Sequence, residues 1–301
     1  MAISSVAIPR RTTVGARVGA YVALTKPRII ELLLITTLPT MIVAQRGLPP
    51  VWLMIATLLG GALAAGGANA INMFVDRDID KLMHRTSKRP LVTGAVSPRN
   101  ALVFAIGLEV LAFAELWGWV NLLSAVLAIS ATLFYVFVYT LWLKRTSSQN
   151  IVIGGAAGAV PVLVGWAAVT DSLSWTPVVM FAIIFLWTPP HFWALAVKYK
   201  DDYQAANVPM LPAVASFKRT AGEILVYSVV LVAVSLLLAV VAKLGVVYVV
   251  SASVLGVLFI AAALRLWRRA TPKAAMQLFS YSITYLTLLF ILMAVDIFTK
   301  H

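Results

Sequence analysis

The chain has 301 residues, no cysteine, and only 12% charged residues against 61% hydrophobic ones. A soluble domain carries about a quarter charged residues, so a soluble fold is excluded. The missing cysteines exclude a disulfide framework and thiolate-ligated metal or iron–sulfur sites.

In chain order, residues 1–28 are basic and contain no acid. They share that bias with a mitochondrial targeting segment but lack the apolar core and cleavage site of a secretory signal. They read as a basic cytoplasmic segment leading into a single transmembrane domain at 29–301. Apolar stretches then recur at 29–45, 51–74, 101–117, 121–142, 151–170, 175–197, 222–242, 246–264 and 277–298. Each is long enough to cross a hydrocarbon core of about 30 Å. The expected fold is all-α, a polytopic membrane protein with nine transmembrane helices.

The net charge of +13 would raise nucleic acid as a partner in a soluble protein. Here its distribution is topological. Of the 24 Lys and Arg, 21 lie at the amino terminus and in the loops after the second, fourth, sixth and eighth spans. Only Arg46, Lys243 and Lys300 fall on the other side. The positive-inside rule puts the basic side in the cytoplasm and the carboxyl terminus outside. That orientation suits a bacterial inner membrane, with the mitochondrial inner membrane as the alternative; membrane lipid is the expected surrounding and nucleic acid is not a partner.

Outer loops are short: "RGLPP" at 46–50, "DSLS" at 171–174 and "KLG" at 243–245. The inner loops at 75–100 and 198–221 are long and charged, and long loops are where function concentrates. They lie four spans apart, so spans 1–4 and 5–8 resemble two similarly built halves.

The first loop begins "NMFVDRDIDKLMHRTSKRP" (72–90). Asn72, Asp76 and Asp80 recur every fourth residue, which on a helix sets three oxygen-bearing side chains on one face. Like-charged carboxylates need a cation, and oxygen ligands suit Mg²⁺, which takes one or two carboxylates together with water and phosphate oxygens. Ionisable groups at a membrane helix end are costly and mark function. Asp78 points elsewhere, toward Arg77, Lys81 or a neighbouring loop. Arg85, Lys88, Arg89 and Lys198 can neutralise the phosphate oxygens a metal leaves over; the plainer reading of each is positive-inside anchoring. The second loop, "WTPPHFWALAVKYKDDYQAANVPMLP", sets Lys198 four residues before Asp202.

The run "NMFVDRDIDKLMHRTSKRPLVTG" resembles the N-x3-D-x3-D motif of the UbiA-type intramembrane prenyltransferases. Four further stretches resemble that family's heme-farnesylating branch: "TKPRIIELLLITTLPTMIVA" (25–44), "LKRTSSQNIVIGGAAGAVPVLVGWAAVT" (143–170), "WTPPHFWALAVKYKDDY" (187–203) and "NVPMLP" (207–212). The resemblance implies nine helices around a cavity and Mg²⁺-dependent transfer of a farnesyl group from farnesyl diphosphate to heme B. Heme A synthase or terminal-oxidase assembly factors would be partners. Asn72, Asp76 and Asp80 would bind the metal–diphosphate, and Arg85 and Arg89, with Lys144 or Arg145, its oxygens. Where many relatives carry a second D-x3-D, this chain has Lys198 and Asp202. Asp202 would be the second carboxylate toward metal and Lys198 a direct phosphate ligand.

Aromatic faces of Tyr135, Tyr139, Trp193 and Tyr203 are candidates for steadying a transient carbocation. His191, in "PPHFW", is a candidate for heme iron or a propionate, against the plainer reading of an interhelical hydrogen bond to a carbonyl freed by Pro189–Pro190. His84 reads as structural, and His301 tells nothing. Glu31, early in the first span near Lys26 and Arg28, is a candidate to orient a substrate-binding lysine or to face the cavity, against the plainer reading of an interfacial ion pair; Glu109, Glu115 and Asp296 receive no role. Gly154, Gly155 and Gly158 read as helix-packing positions. Prenyl transfer to a quinone precursor or chlorophyll-type ring is the competing activity. A transporter is the remote one, disfavoured because the acids sit in inner loops and not at mid-span.

Overall fold

The computed structural model describes residues 13–299, apart from the side chains of residues 29 and 31–34. The Glu31 and His301 readings therefore lie outside the described residues. Helix α1 (Val14–Thr25) is capped by Thr13, whose hydroxyl accepts from the Ala16 N–H. Lys26 then takes a left-handed conformation (φ 52°) before α2 (Pro27–Gln45). Proline at the first turn of α2 suits a helix start, where its missing N–H is not needed.

Next come α3 (Val51–Val75), a 3₁₀ turn at Ile79–Lys81, the short α4 (Pro90–Thr93) and α5 (Pro98–Trp119). One continuous rod follows, built from α6 (Leu122–Leu133), a π-helical segment (Phe134–Leu143) and α7 (Lys144–Thr146). Then come α8 (Asn150–Thr170), α9 (Trp175–Lys198), the short α10 (Lys200–Ala205) and α11 (Leu211–Val214), and finally α12 (Phe217–Val241), α13 (Val246–Arg269) and α14 (Pro272–Phe298).

Among the described residues, eight helices are long and apolar enough to cross a membrane, against the nine expected. The expected first span falls on α2, whose described apolar part, Ile35–Gln45, is shorter than a full crossing. The other eight coincide with their expected stretches, and most of them run on into the inner charged flanks. Helix α12 begins at Phe217, where Ser216 accepts from the Arg219 N–H, and α13 continues to Arg269. Hydropathy stops at the first charge, whereas a helix stops at its cap.

Lipid tails are as apolar as the side chains, so close packing, not hydrophobicity, holds such helices together. Gly67 on α3 admits the Glu109 carboxyl of α5, which a Cβ would meet at 2.5 Å. Glu109 also accepts from the Thr132 hydroxyl on α6 (3.2 Å). Gly155 of α8 sits on Thr188 of α9, and Gly154 on the Tyr139 ring, while Gly158 faces open space. Asp296 caps α13, accepting from the backbone N–H groups of Gly245 and Tyr248.

Candidate active site

The expected face of Asn72, Asp76 and Asp80 is not carried by one unbroken helix. Helix α3 ends at Val75, with Asp76 as its cap. The register nevertheless survives: the Asp76 N–H donates to the Asn72 carbonyl and the Asp80 N–H to the Asp76 carbonyl, both at 2.9 Å. Turning out of the helix takes Asp78 away from this face while Asp76 and Asp80 stay buried.

Buried carboxylates need partners, and each has one from another element or from farther along the loop. The Lys144 ammonium contacts Asp76 Oδ2. Arg89 forks onto both oxygens of Asp80, at 2.8 and 2.7 Å. Asn72 Nδ2 donates to Asp76 Oδ2 (2.8 Å) and to Thr140 Oγ1 (3.2 Å), and its Oδ1 accepts from Lys26 Nζ (2.8 Å). Burial, followed by repulsion from Arg89 and Lys144, holds the Lys26 pKa well below the ordinary lysine value. Asp76 Oδ1 is buried without a hydrogen-bond partner.

The π-helical segment positions this wall. Thr140 donates its hydroxyl to the Tyr135 carbonyl five residues back (2.9 Å). Its wider turn brings Thr140 and Lys144 to the end of α3; such bulges often mark functional sites. Tyr135 and Tyr139 stack at 5.3 Å on the same segment. An apolar crevice of about 590 Å³ lies between α3, α5 and this rod. It is lined in part by Ile71 and Val136, the former adjacent in sequence to Asn72 and the latter one turn before Thr140.

Arg145 is held differently. It forks onto Asp78 with two bonds of 2.7 Å, donates to the Val75 carbonyl (3.2 Å), and lies 3.9 Å from Asp76. The Arg145 guanidinium holds the Asp78 carboxyl down at about 2.

The second loop docks onto the first. Asp202 accepts from the backbone N–H groups of His84 (3.3 Å) and Arg85 (3.1 Å). Ile79 and Met83 pack against Ala206, Val208 and Tyr203. Burial pushes the Tyr203 hydroxyl upward. The Arg85 guanidinium lies 5.4 Å from the Tyr199 ring and Lys198 Nζ 5.5 Å from the same ring. Arg85, Lys88 and Lys198 are all exposed.

His191 occupies another environment. It is buried in α9, stacked on Trp187 (4.1 Å) and packed on Phe279 (4.6 Å), with Nδ1 2.7 Å from the Ser282 hydroxyl of α14. Its interhelical partner is thus a hydroxyl, not the proline-freed carbonyl anticipated. Trp193 packs edge-on against Tyr227 (5.5 Å).

Sequence reasoning missed Lys26 and Thr140. Lys26 stands in "TKPR", where a lysine directly before proline signals a break in the helix. Nothing in the apolar run around Thr140 signals a π-helical turn.

An all-helical bundle carrying this buried ionic centre defines the class: residues 33–292 match the UbiA prenyltransferase family, and the chain belongs to it. The chain is 53% identical over 295 residues to a protoheme IX farnesyltransferase of Renibacterium salmoninarum, covering 96% of this chain and 93% of that one. A protoheme IX farnesyltransferase of Streptomyces avermitilis is 54% identical over 292 residues, covering 95% and 96%. The solved structure of a UbiA homologue from Archaeoglobus fulgidus, bound to GPP and Mg²⁺, shares the fold with a TM-score of 0.64 at 18% identity, covering 91% of this chain and 99% of that one.

Proposed function

We propose that this chain transfers a farnesyl group from farnesyl diphosphate to the vinyl group of heme B, with addition of water, to make heme O. The observation that carries this reading is the buried ionic centre around Asp76 and Asp80, set in a chain more than half identical to relatives named for that reaction. The GPP and Mg²⁺ of the Archaeoglobus homologue support an allylic diphosphate as donor.

The donor set fits Mg²⁺. Asn72, Asp76 and Asp80 present oxygen ligands, and Asp76 Oδ1 is unpartnered. Mg²⁺ is usually held by one or two carboxylates, with water and phosphate oxygens completing its shell. When bound, the ion supplies Lewis-acid neutralisation of the leaving diphosphate.

The chain's own residues do the rest. Lys144, Arg89 and Lys26 surround the place where negative charge grows as the allylic C–O bond breaks. Arg85 and Lys198 stand at the cap, on the diphosphate's approach from the inner side. Tyr135 and Tyr139 present faces toward which an allylic cation is drawn. The apolar walls keep water from it until the vinyl carbon has attacked. Attack by the vinyl group leaves a cation on the porphyrin side, which water captures with loss of a proton. That capture requires no strong base.

The excess of Lys and Arg in the inner loops supports the cytoplasmic face of a bacterial plasma membrane as the side of this centre, and a heme A synthase or terminal-oxidase factor would receive the product. Purified protein incubated with heme B, farnesyl diphosphate and Mg²⁺ should yield a hydroxyethylfarnesyl porphyrin by mass spectrometry. No adduct, with turnover of a quinone precursor instead, would overturn the acceptor.

A further inference from the structure

The cations of the inner face divide into two sets. On the side of α3 and the α6–α7 rod they are spent within the fold. Arg89 and Lys144 neutralise Asp80 and Asp76, Arg77 donates to the Phe74 carbonyl, and Arg145 grips Asp78 as a strut at the end of α3. On the side of α12–α14 they are not. Lys200, Lys218, Arg265, Arg268, Arg269 and Lys273 are exposed, and none of them is ion-paired among the described residues. Acids that could serve them are engaged elsewhere. Glu223 lies 4.0 Å from Arg219, and Asp202 is the clasp on the first loop's backbone N–H groups, which leaves Asp201. The turn from α13 to α14 contains no acid.

The positive-inside rule accounts for the sign of this patch, but not for its shape. A cavity of about 170 Å³ opens there, walled by Val197, Lys200, Pro212, Phe217, Thr220 and Pro272. It lies where α9 ends and where α12 and α14 begin, so the partial positive charge of two helix starts adds to that of the lysines. Lys218 directly follows Phe217, and Lys273 directly follows Pro272. The Trp267 indole comes within 3.9 Å of the place a Cβ on Gly222 would take. That contact holds the end of α13, with Arg268 and Arg269, against α12. Trp267 is itself exposed, and an exposed indole at the end of a span suits the headgroup layer.

Two chemical requirements follow. The cationic rim calls for an anion. Val197, Pro212 and Phe217, at the depth where spans end, call for an anion attached to hydrocarbon. Basic pockets between membrane helices on the cytoplasmic side take anionic lipid headgroups by this combination. A free phosphate would leave the apolar wall wet. A zwitterionic headgroup would bring a further positive charge into a patch that already has an excess.

We propose that the cavity between the ends of α9, α12 and α14 binds the phosphate headgroup of an anionic phospholipid from the inner leaflet. The lipid braces the second loop, because Val197 and Pro212 precede and follow α10, the helix that carries Asp202. This site stands apart from the buried centre and requires neither a metal nor an allylic diphosphate.

Native mass spectrometry of the detergent-solubilised full-length chain, titrated with dioleoylphosphatidylglycerol or dioleoylphosphatidylcholine, tests this without turnover. Phosphatidylglycerol should stay bound with a preference of about fivefold or more over phosphatidylcholine. Lys200→Gln combined with Lys273→Gln should weaken that retention by about tenfold. Lys81→Gln combined with Arg99→Gln removes the same charge on the side of α3 and α5, and should leave retention within about twofold of wild type. An excess of inorganic phosphate should leave the lipid in place. Equal retention of the two lipids, displacement by inorganic phosphate, an unchanged Lys200/Lys273 variant, or equal losses in the two double variants would each overturn the proposal. The comparison of the two lipids needs no variant to fold.

Discussion

The loops at 76–97 and 199–216 look alike in sequence: both are charged, both follow a long span, and both carry aspartates four residues from a functional-looking partner. In the fold they divide the labour. The first turns two carboxylates inward and buries them among cations from α1–α2 and the α6–α7 rod. The second spends its carboxylate on the first loop's backbone N–H groups. Charge content alone therefore does not identify a reactive loop; whether the charge is buried and what partners it does.

The sharpest break of that contrast is to neutralise the buried acids. Asp76→Asn or Asp80→Asn should lower turnover by about 10²–10³-fold, the scale of losing a preorganised electrostatic contact in a dry site. Thermal melting should fall as well, because the amide leaves Lys144 or Arg89 without its buried counter-ion, so turnover is compared per folded protein. Wild-type rates in either variant would mean that the first loop is a surface network like the second.

Lys144→Met and Lys26→Met come next. Each removes one of the enclosed cations, and each should cost about 10–10²-fold in kcat/KM. The loss from Lys26→Met bears on legibility. The spacing of Asn72, Asp76 and Asp80 displayed the carboxylate side of the site, because a period of four is visible in a string. Lys26 and Thr140 were not visible in that way. They reach the site through a left-handed residue between two helices and a π-helical turn, both set by tertiary packing. The spans were legible wherever apolarity was unbroken. The cap was not, since contacts such as Asp202 with His84 join residues more than a hundred positions apart. If Lys26→Met is silent, the Lys26–Asn72 bond is merely a helix-end contact.

The clasp should respond to chemistry differently from the acids. Asp202→Ala strips both acceptors from the His84 and Arg85 N–H groups and should destabilise the cap by about 1–3 kcal/mol, raising KM for the diphosphate more than it lowers kcat. Asp202→Asn retains one acceptor oxygen for one of the two N–H groups and should recover part of that loss. Equal damage from both variants, concentrated in kcat, would place Asp202 in the reaction and erase the distinction between the loops.

The smallest effect belongs to the exposed strut. Because Arg145 depresses the Asp78 carboxyl to about 2 in the fold, against about 3.9 for a free aspartate, its contribution is fully present above the free value. It fades only as the pH falls from there toward about 2. The Asp78–Arg145 pair should therefore be invariant between pH 5 and 8. The difference in melting temperature between wild type and Asp78→Asn should be modest, flat across that window, and shrink below about pH 4. A difference that varies between pH 6 and 8 would mean that the pair couples to another titrating group, and that the strut moves with the buried centre instead of standing apart from it.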